Sequence, residues 1–142
     1  MIEFTRDVWP SMALMLEPQY AQRKDMQFNS EMLLRFVSNG EAWAVRRNGK
    51  LVAIGGHTPV WPGRTVVWGF LGADCGPALP VMTKEVRRQI KRLHVDFPRL
   101  EAYTERHHEA GHRWLKLLGF KHEGIMRKFY NGTDYALYGK VE

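Results

Sequence analysis

The chain carries one cysteine, Cys75, in 142 residues. A disulfide framework within the molecule is therefore excluded, and the composition fits a reducing compartment. No apolar run approaches 18 residues, so no transmembrane helix and no membrane partner is expected. No positively charged start leads into an apolar stretch, so no secretory leader is expected and the predicted location is the cytoplasm. There is no repeat, low-complexity tract or linker, which predicts a single domain over residues 1–142. Acidic residues are the scarcer charge: 15 Asp and Glu stand against 21 Lys and Arg, a net charge of +6. Such a balance favours an anionic partner, whether nucleic acid, a phosphorylated cofactor or an acidic protein. What is present in quantity is core material, at 44% hydrophobic and 12% aromatic residues, enough to exclude global disorder.

Periodicity then orders the chain. Ile2 to Thr5 alternates as a short strand. Asp7 is a cap for a helix starting near Val8, with Pro10 in its first turn, Met12 to Leu16 as its apolar face and Glu17-Pro18 as its end. Ser30 caps a second helix with Met32, Leu33, Phe36 and Val37 on one stripe, closed by Asn39-Gly40. Ala42 to Arg47 and Lys50 to Gly56 read as strands joined by Asn48-Gly49, a strong hairpin signal. Pro59 to Gly63 reads as a turn, and Arg64 to Leu71 as the next strand. A loop rich in Gly and Pro follows, from Gly72 to Pro80. From Val81 the period becomes helical, with Val81, Val86, Ile90 and Leu93 facing one way and Lys84, Arg87, Arg88 and Lys91 another, until Pro98. Strand Leu100–Thr104, a helix near Glu109 to Leu118, and strands Gly124–Tyr130 and Tyr135–Val141 around Asn131-Gly132 complete the chain. This order predicts an α/β fold: a mixed central sheet of about seven strands with helices on both faces.

Residues 107–124 admit two incompatible readings. From the left they contain His108-Glu109-Ala110-Gly111-His112, a literal H-E-x-x-H. On a helix that spacing puts two imidazoles on one face for zinc, with a glutamate as general base. Such a helix is usually flanked by uncharged residues, and here Arg106 and Arg113 stand on either side. Only His122, Glu123, Asp134 and Glu142 follow as a third ligand. A zinc metallopeptidase is thus the minor reading, and the sequence assigns no metal.

From the right, Trp114 to Phe120 is an amphipathic helix ending in Leu-Gly-Phe, followed by Glu123-Gly124. With the element order, these residues resemble the GNAT superfamily of acyl-CoA-dependent N-acetyltransferases. Glu123-Gly124-Ile125-Met126-Arg127, with Tyr130, Gly132 and Asp134, resembles the branch that acetylates protein N-termini. Ala53-Ile54-Gly55-Gly56, the basic helix after an irregular loop and the Arg-aromatic-Leu-Lys helix also resemble compact GNAT-like internal virion proteins of short-tailed bacteriophages.

The resemblance implies acetyl-CoA as cosubstrate, an amine as acceptor and transfer of the acetyl group between them. In that superfamily acyl-CoA sits where two central strands splay apart. Its pyrophosphate is held by main-chain N–H groups of a loop entering a helix, usually [Gln/Arg]-x-x-Gly-x-[Gly/Ala]. The corresponding residues are 73–78. Gly76 and Ala78 match. Ala73 lacks a long polar side chain, Pro77 and Pro80 lack an N–H, and Asp74 adds a negative charge beside the anion. The resemblance implies cofactor contacts at Leu71, Gly76, Ala78, Lys84, His108 and Leu115. His108 stands where Asn is frequent, and Leu115 where Tyr often serves as general acid. Asp74, Glu101 and His57 are the candidate bases. The alternative function is a non-catalytic GNAT-fold interaction module with a phage or host protein partner, located in the host cytoplasm or virion. No reading motif accompanies the charge, so nucleic acid is not an expected partner.

Overall fold

The computed structural model describes residues 1–9, 12, 16 and 35–142. The expected helix from Val8 and the Ser30 cap lie outside the described residues apart from isolated positions. Residues 35–38 are helical, as expected for the end of the second helix. The elements that follow are β1 (Ile2–Thr5), β2 (Glu41–Arg47), β3 (Lys50–Trp61), β4 (Arg64–Leu71), α1 (Leu79–Leu93), β5 (Arg99–Glu105), α2 (Glu109–Leu117), β6 (Lys121–Tyr130) and β7 (Thr133–Val141). The seven strands form one mixed sheet in the order β1-β2-β3-β4-β5-β7-β6. The parallel ladder joins β4 and β5 through the crossover helix α1, the connection that parallel strands require. That ladder runs over three residue pairs, from Arg64↔Arg99 to Val66↔Glu101.

Contacts divide the chain into two compact units, residues 1–58 with 67–82 and residues 59–66 with 83–142. In the first, Asn48 and Gly49 both take positive φ, 52° and 85°, the conformation of a two-residue hairpin turn between twisted strands. The turn sets β2 against β3, and alternation sorts side chains to two faces, except that a bulge at Val45/Arg46 shifts the alternation of β3 so that Leu51 and Ile54 share one face. Ala44, Leu51, Ile54, Trp68 and Phe70 bury themselves on one face with Met12 and Leu16. Phe36 stacks on Trp68 at 5.1 Å. Val45, Val52 and Ala53 pack with Cys75, Ala78 and Met82. Gly56 is a packing necessity: a Cβ there would overlap the Glu41 carbonyl oxygen and lie 2.8 Å from Trp68 Cζ2.

In the second unit Leu100, Ala102 and Thr104 of β5 are buried, as are Tyr135, Ala136 and Tyr138 of β7. Helices α1 and α2 are joined by two hydrogen bonds, Trp114 Nε1–H to Thr83 Oγ1 at 2.9 Å and Arg87 Nη2–H to the Leu117 carbonyl at 2.8 Å. The Leu-Gly-Phe signature has a physical origin here. Gly119, at φ 96°, turns the chain out of α2 in a conformation that costs a side-chain-bearing residue energy. The turn lets Leu118 and Phe120, at 5% and 3% exposure, both bury.

Several boundaries differ from expectation, three of them informatively. Strand β3 runs through Pro59 to Trp61, and the turn is confined to Pro62-Gly63. Helix α1 begins two residues early at Leu79, because a proline in a first helical turn loses no hydrogen bond. Strand β6 begins at Lys121, with a register shift between His122 and Gly124. Gly56→Val is expected to lower stability by about 2–3 kcal/mol through overpacking, measured as a drop in the urea midpoint at unchanged m-value.

Candidate functional site

The first unit contributes a loop. Strand β4 ends at Leu71, and Gly72 N–H still bonds the Val52 carbonyl at 2.8 Å. The chain then tightens: Cys75 N–H bonds the Gly72 carbonyl and Ala78 N–H the Cys75 carbonyl. Gly76–Ala78 form a short 3-10 turn that leads into α1. Burial gives the turn its orientation. Cys75 and Ala78, at 4% and 0% exposure, are pinned into the apolar cluster under the sheet. Gly76 and Pro77 consequently face outward. Burial, and then the neighbouring Asp74 charge, push the Cys75 thiol up from its ordinary value. It is an anchor rather than a nucleophile.

Gly76 is informative for what does not require it. Its φ lies outside the left-handed region, and a Cβ would meet nothing within 4 Å. Neither backbone strain nor packing calls for glycine there. The absence of a side chain leaves the backbone of this turn open to approach from outside. Pro77 and Pro80 remove N–H donors from the turn and the first turn of α1, so the cradle has fewer donors than its length suggests.

Asp74 is not the bare charge that its sequence position implies. Its Oδ2 accepts from Lys50 Nζ at 2.7 Å, while its Oδ1 is buried without a partner. Lys50, which sequence reasoning missed, is the first residue after the Asn48-Gly49 turn. His57, another candidate base, is 7% exposed on β3. Its Nε2–H donates to Glu41 Oε1 at 3.1 Å, and Glu41 Oε2 also meets Arg6 at 3.0 Å.

The second unit places Glu101 on β5. Arg64 grips this carboxylate through two bonds of 2.7 and 2.8 Å. Arg99 adds a third at 2.7 Å, and Tyr103 O–H a fourth at 3.2 Å. Arg99 also holds Glu123 at 2.5 Å. The hydrogen bonds from Arg64 come first among the causes that lower Glu101 to about 2, against burial that would raise it. A carboxylate held that low is a weak proton acceptor. The geometry makes Glu101 a structural anion and weakens its case as the base.

His108 is the N-cap position of α2, not a residue of the helix. Burial first of all lowers its imidazole below the ordinary value, which favours the neutral form near pH 7. Its Cδ2 lies 2.7 Å from where a Cβ of Gly111 would stand, so glycine in this turn makes room for the ring. Leu115 is 9% exposed and inert to proton transfer. Lys84 is exposed on α1. Of the other cations on the polar side of α1, Arg87 is bonded to the Leu117 carbonyl and Arg88 to Glu85.

The zinc reading meets a specific obstacle. His112 Nε2 lies 2.8 Å from the Arg106 carbonyl and must donate to it, while Nδ1 lies 2.7 Å from the Tyr138 hydroxyl. Both nitrogens of the second histidine are engaged, and neither offers a lone pair to a metal. Among the described residues no three His, Cys, Asp or Glu side chains gather as metal ligands. No helix among them is long and apolar enough to cross a membrane.

No protein-family model matches the sequence, and comparison with curated proteins returns no match. Solved structures match over nearly the whole chain. The ribosomal-protein-S5-alanine acetyltransferase of Vibrio fischeri is 17% identical, with a TM-score of 0.70 over 99% of this chain and 92% of its own. The IAA acetyltransferase of Bacillus cereus is 12% identical, at 0.74 over 100% of both chains. A GNAT family acetyltransferase of Elizabethkingia anophelis with acetyl-CoA bound is 14% identical, at 0.71 over 100% and 97%. The fold is that of the GNAT acetyltransferases. At these identities the likeness defines the architecture and leaves the chemistry to the residues.

The Glu101 cluster generates a prediction. Because its folded value of about 2 lies below the ordinary 4.5, the stabilisation is present above about pH 4.5 and is lost as pH falls toward 2. Glu101→Gln, which leaves two guanidinium groups without their shared anion, is expected to cost about 3 kcal/mol at pH 7. The difference from the parent chain should shrink below pH 4.5, as followed by urea unfolding across pH 2–7.

Proposed function

We propose that the protein is an acetyl-CoA-dependent N-acetyltransferase whose acceptor is an α-amine, such as a protein N-terminus. The observation that carries this reading is the loop from Gly72 to Leu79: anchored from beneath by Cys75 and Ala78, and open at a glycine the fold itself does not require. It is the place for a pyrophosphate to meet backbone N–H groups. Leu71, which ends the strand before the loop, is the accompanying contact.

In the reaction the neutral amine attacks the thioester carbonyl carbon. Backbone N–H groups stabilise the oxyanion of the tetrahedral intermediate. Collapse breaks the C–S bond and releases CoA as thiolate, while the amine's proton passes to water or a nearby base. Leu115 is compatible with this course, because a thiolate is a far better leaving group than an alkoxide and departs without a strong acid. The restraint on Glu101 favours the α-amine acceptor. Roughly a tenth of α-amines are neutral at pH 7, against less than about one in a thousand lysine side chains. A site with a weak base transfers to the amine that is already neutral. The Vibrio fischeri protein, an alanine acetyltransferase for a ribosomal protein by name, is consistent with such an acceptor.

The shortage of donors at Ala73, Pro77 and Pro80 favours a second reading, a non-catalytic GNAT-fold interaction module of the phage type. Titration calorimetry with acetyl-CoA separates the two. Micromolar binding is expected, weakened more than tenfold by Gly76→Asp with no change in thermal stability, since the side chain enters open space. No binding at millimolar acetyl-CoA sinks the enzyme reading. Transfer to a peptide with a free α-amine should exceed transfer to its blocked, lysine-containing counterpart. Equal rates would remove the α-amine assignment.

A further inference from the structure

Resting on the acetyl-CoA reading, we propose that Lys50 is a positioning residue for cofactor binding: it neutralises Asp74, so that an anion can approach the Gly76 turn.

The problem it solves is electrostatic. Asp74 lies two residues before Gly76, in the turn that the pyrophosphate must approach. A unit negative charge at such a distance repels each phosphate charge strongly when partly shielded from water, and weakly in full solvent. The carboxylate is not fully in solvent. Its Oδ1 is buried and unpartnered, and its side chain is 33% exposed. Left alone, the group would work against the loop's own N–H donors.

The structure supplies the counter-charge from the opposite end of a hairpin. Asn48 and Gly49 reverse the chain with positive φ, and Lys50 opens β3 directly after them. Gly72, at the far end of β4, still pairs with Val52. The first residues of β3 and the start of the loop are therefore neighbours by backbone pairing, and the Lys50 ammonium meets Asp74 at 2.7 Å. The ordered side is the anchored one. Cys75, the residue after Asp74, is buried, so the carboxylate has little freedom to turn away, and the lysine comes to it.

The pair assigns Asp74 a role different from that of general base. A base is read in kcat and in the pH profile of kcat. A charge beside the cofactor is read in KM and Kd. A mere structural strut between hairpin and loop would be damaged equally by removing either partner, and no further by removing both. Charge neutralisation gives the opposite pattern, because deleting the carboxylate repairs the loss of the lysine.

The experiment uses the full chain, with acetyl-CoA as titrant and as substrate. Lys50→Met is expected to raise Kd and KM for acetyl-CoA about tenfold, with kcat within twofold of the parent. Asp74→Asn alone should bind as tightly as the parent or tighter. The double variant should recover most of the affinity lost in Lys50→Met. Lys50→Arg should behave as the parent, and raised salt should narrow the gap between Lys50→Met and the parent. Thermal melts identify any variant that fails to fold, in which case Lys50→Gln replaces Lys50→Met. A double variant as weak as Lys50→Met overturns the proposal in favour of a strut. A loss of kcat without change of KM in Asp74→Asn overturns it in favour of a base. Parent-like binding by Lys50→Met overturns it while leaving the acetyl-CoA reading intact. Failure of the parent chain to bind acetyl-CoA removes both.

Discussion

Arg64 and Arg99 face each other across a parallel ladder, and one buried carboxylate makes that arrangement possible. Their Cα positions are paired in register, so two guanidinium groups share one spot on adjacent strands. Without an anion they would repel. Glu101 takes bonds from both, and it is also the residue paired with Val66 at the last rung of the ladder. The cluster therefore staples β4 to β5 where their pairing stops. A parallel pair of three rungs is a weak element by itself. It is made durable by an ion cluster around a buried carboxylate, in which each charge has a hydrogen-bonded partner. The same cluster orients Trp61, whose ring lies 4.4 Å from the Arg64 guanidinium, and Tyr103, whose hydroxyl donates to Glu101.

Stability and catalysis make different demands on that carboxylate. As a staple it is most useful fully ionised and fully bonded. As a base it would need a value near the working pH and a free lone pair. The geometry favours the staple. Asp74 follows the same logic in the other unit, where its charge is met by Lys50. Two of the three acidic or basic residues that looked like proton acceptors in the sequence are engaged in ion pairs, and the third, His57, is tied to Glu41.

Much of the architecture was legible because it rests on local rules. Asn48-Gly49 and Asn131-Gly132 need left-handed backbone, and both turns fall where those dipeptides stand. Alternation in β2, β4 and β7, and the 3.6-residue period in α1, reflect burial of one face, which leaves a trace in the residues. Leu-Gly-Phe signalled a helix end for a reason visible in Gly119. The misses have equally local causes. Pro59 reads as a breaker, yet proline is tolerated near the end of a strand that needs no donor at that position. Gly124 drew the start of β6 forward, whereas Lys121 and His122 already pair with Gly139 and Tyr138. The candidate site was legible only in part. Gly76 and Ala78 were suggested by the resemblance, but Lys50, Arg64, Arg99 and Glu41 were not, because they meet partners 24, 37, 24 and 16 residues away along the chain. Sequence spacing shows that an acid is present. It does not show who neutralises it.

The H-E-x-x-H run is the sharpest case of that limit. Its spacing is correct for two imidazoles on one helical face, and spacing is all a sequence displays. Metal binding, however, is a property of lone pairs. The chain places the Arg106 carbonyl against Nε2 of His112 and the Tyr138 hydroxyl against Nδ1. The carbonyl can only accept, so Nε2 carries the proton, and the lone pair of the neutral ring lies on Nδ1 facing a hydroxyl that can donate to it. Freeing either nitrogen would break a bond that ties α2 to its own entry or to the core of β7. The first histidine is removed from the motif in another way: as the cap of α2 it stands outside the regular helix whose i, i+4 geometry the pattern presumes. What looked like a metal pair is a helix entry, in which the His112 imidazole ties α2 to the chain before it and to Tyr138 of β7.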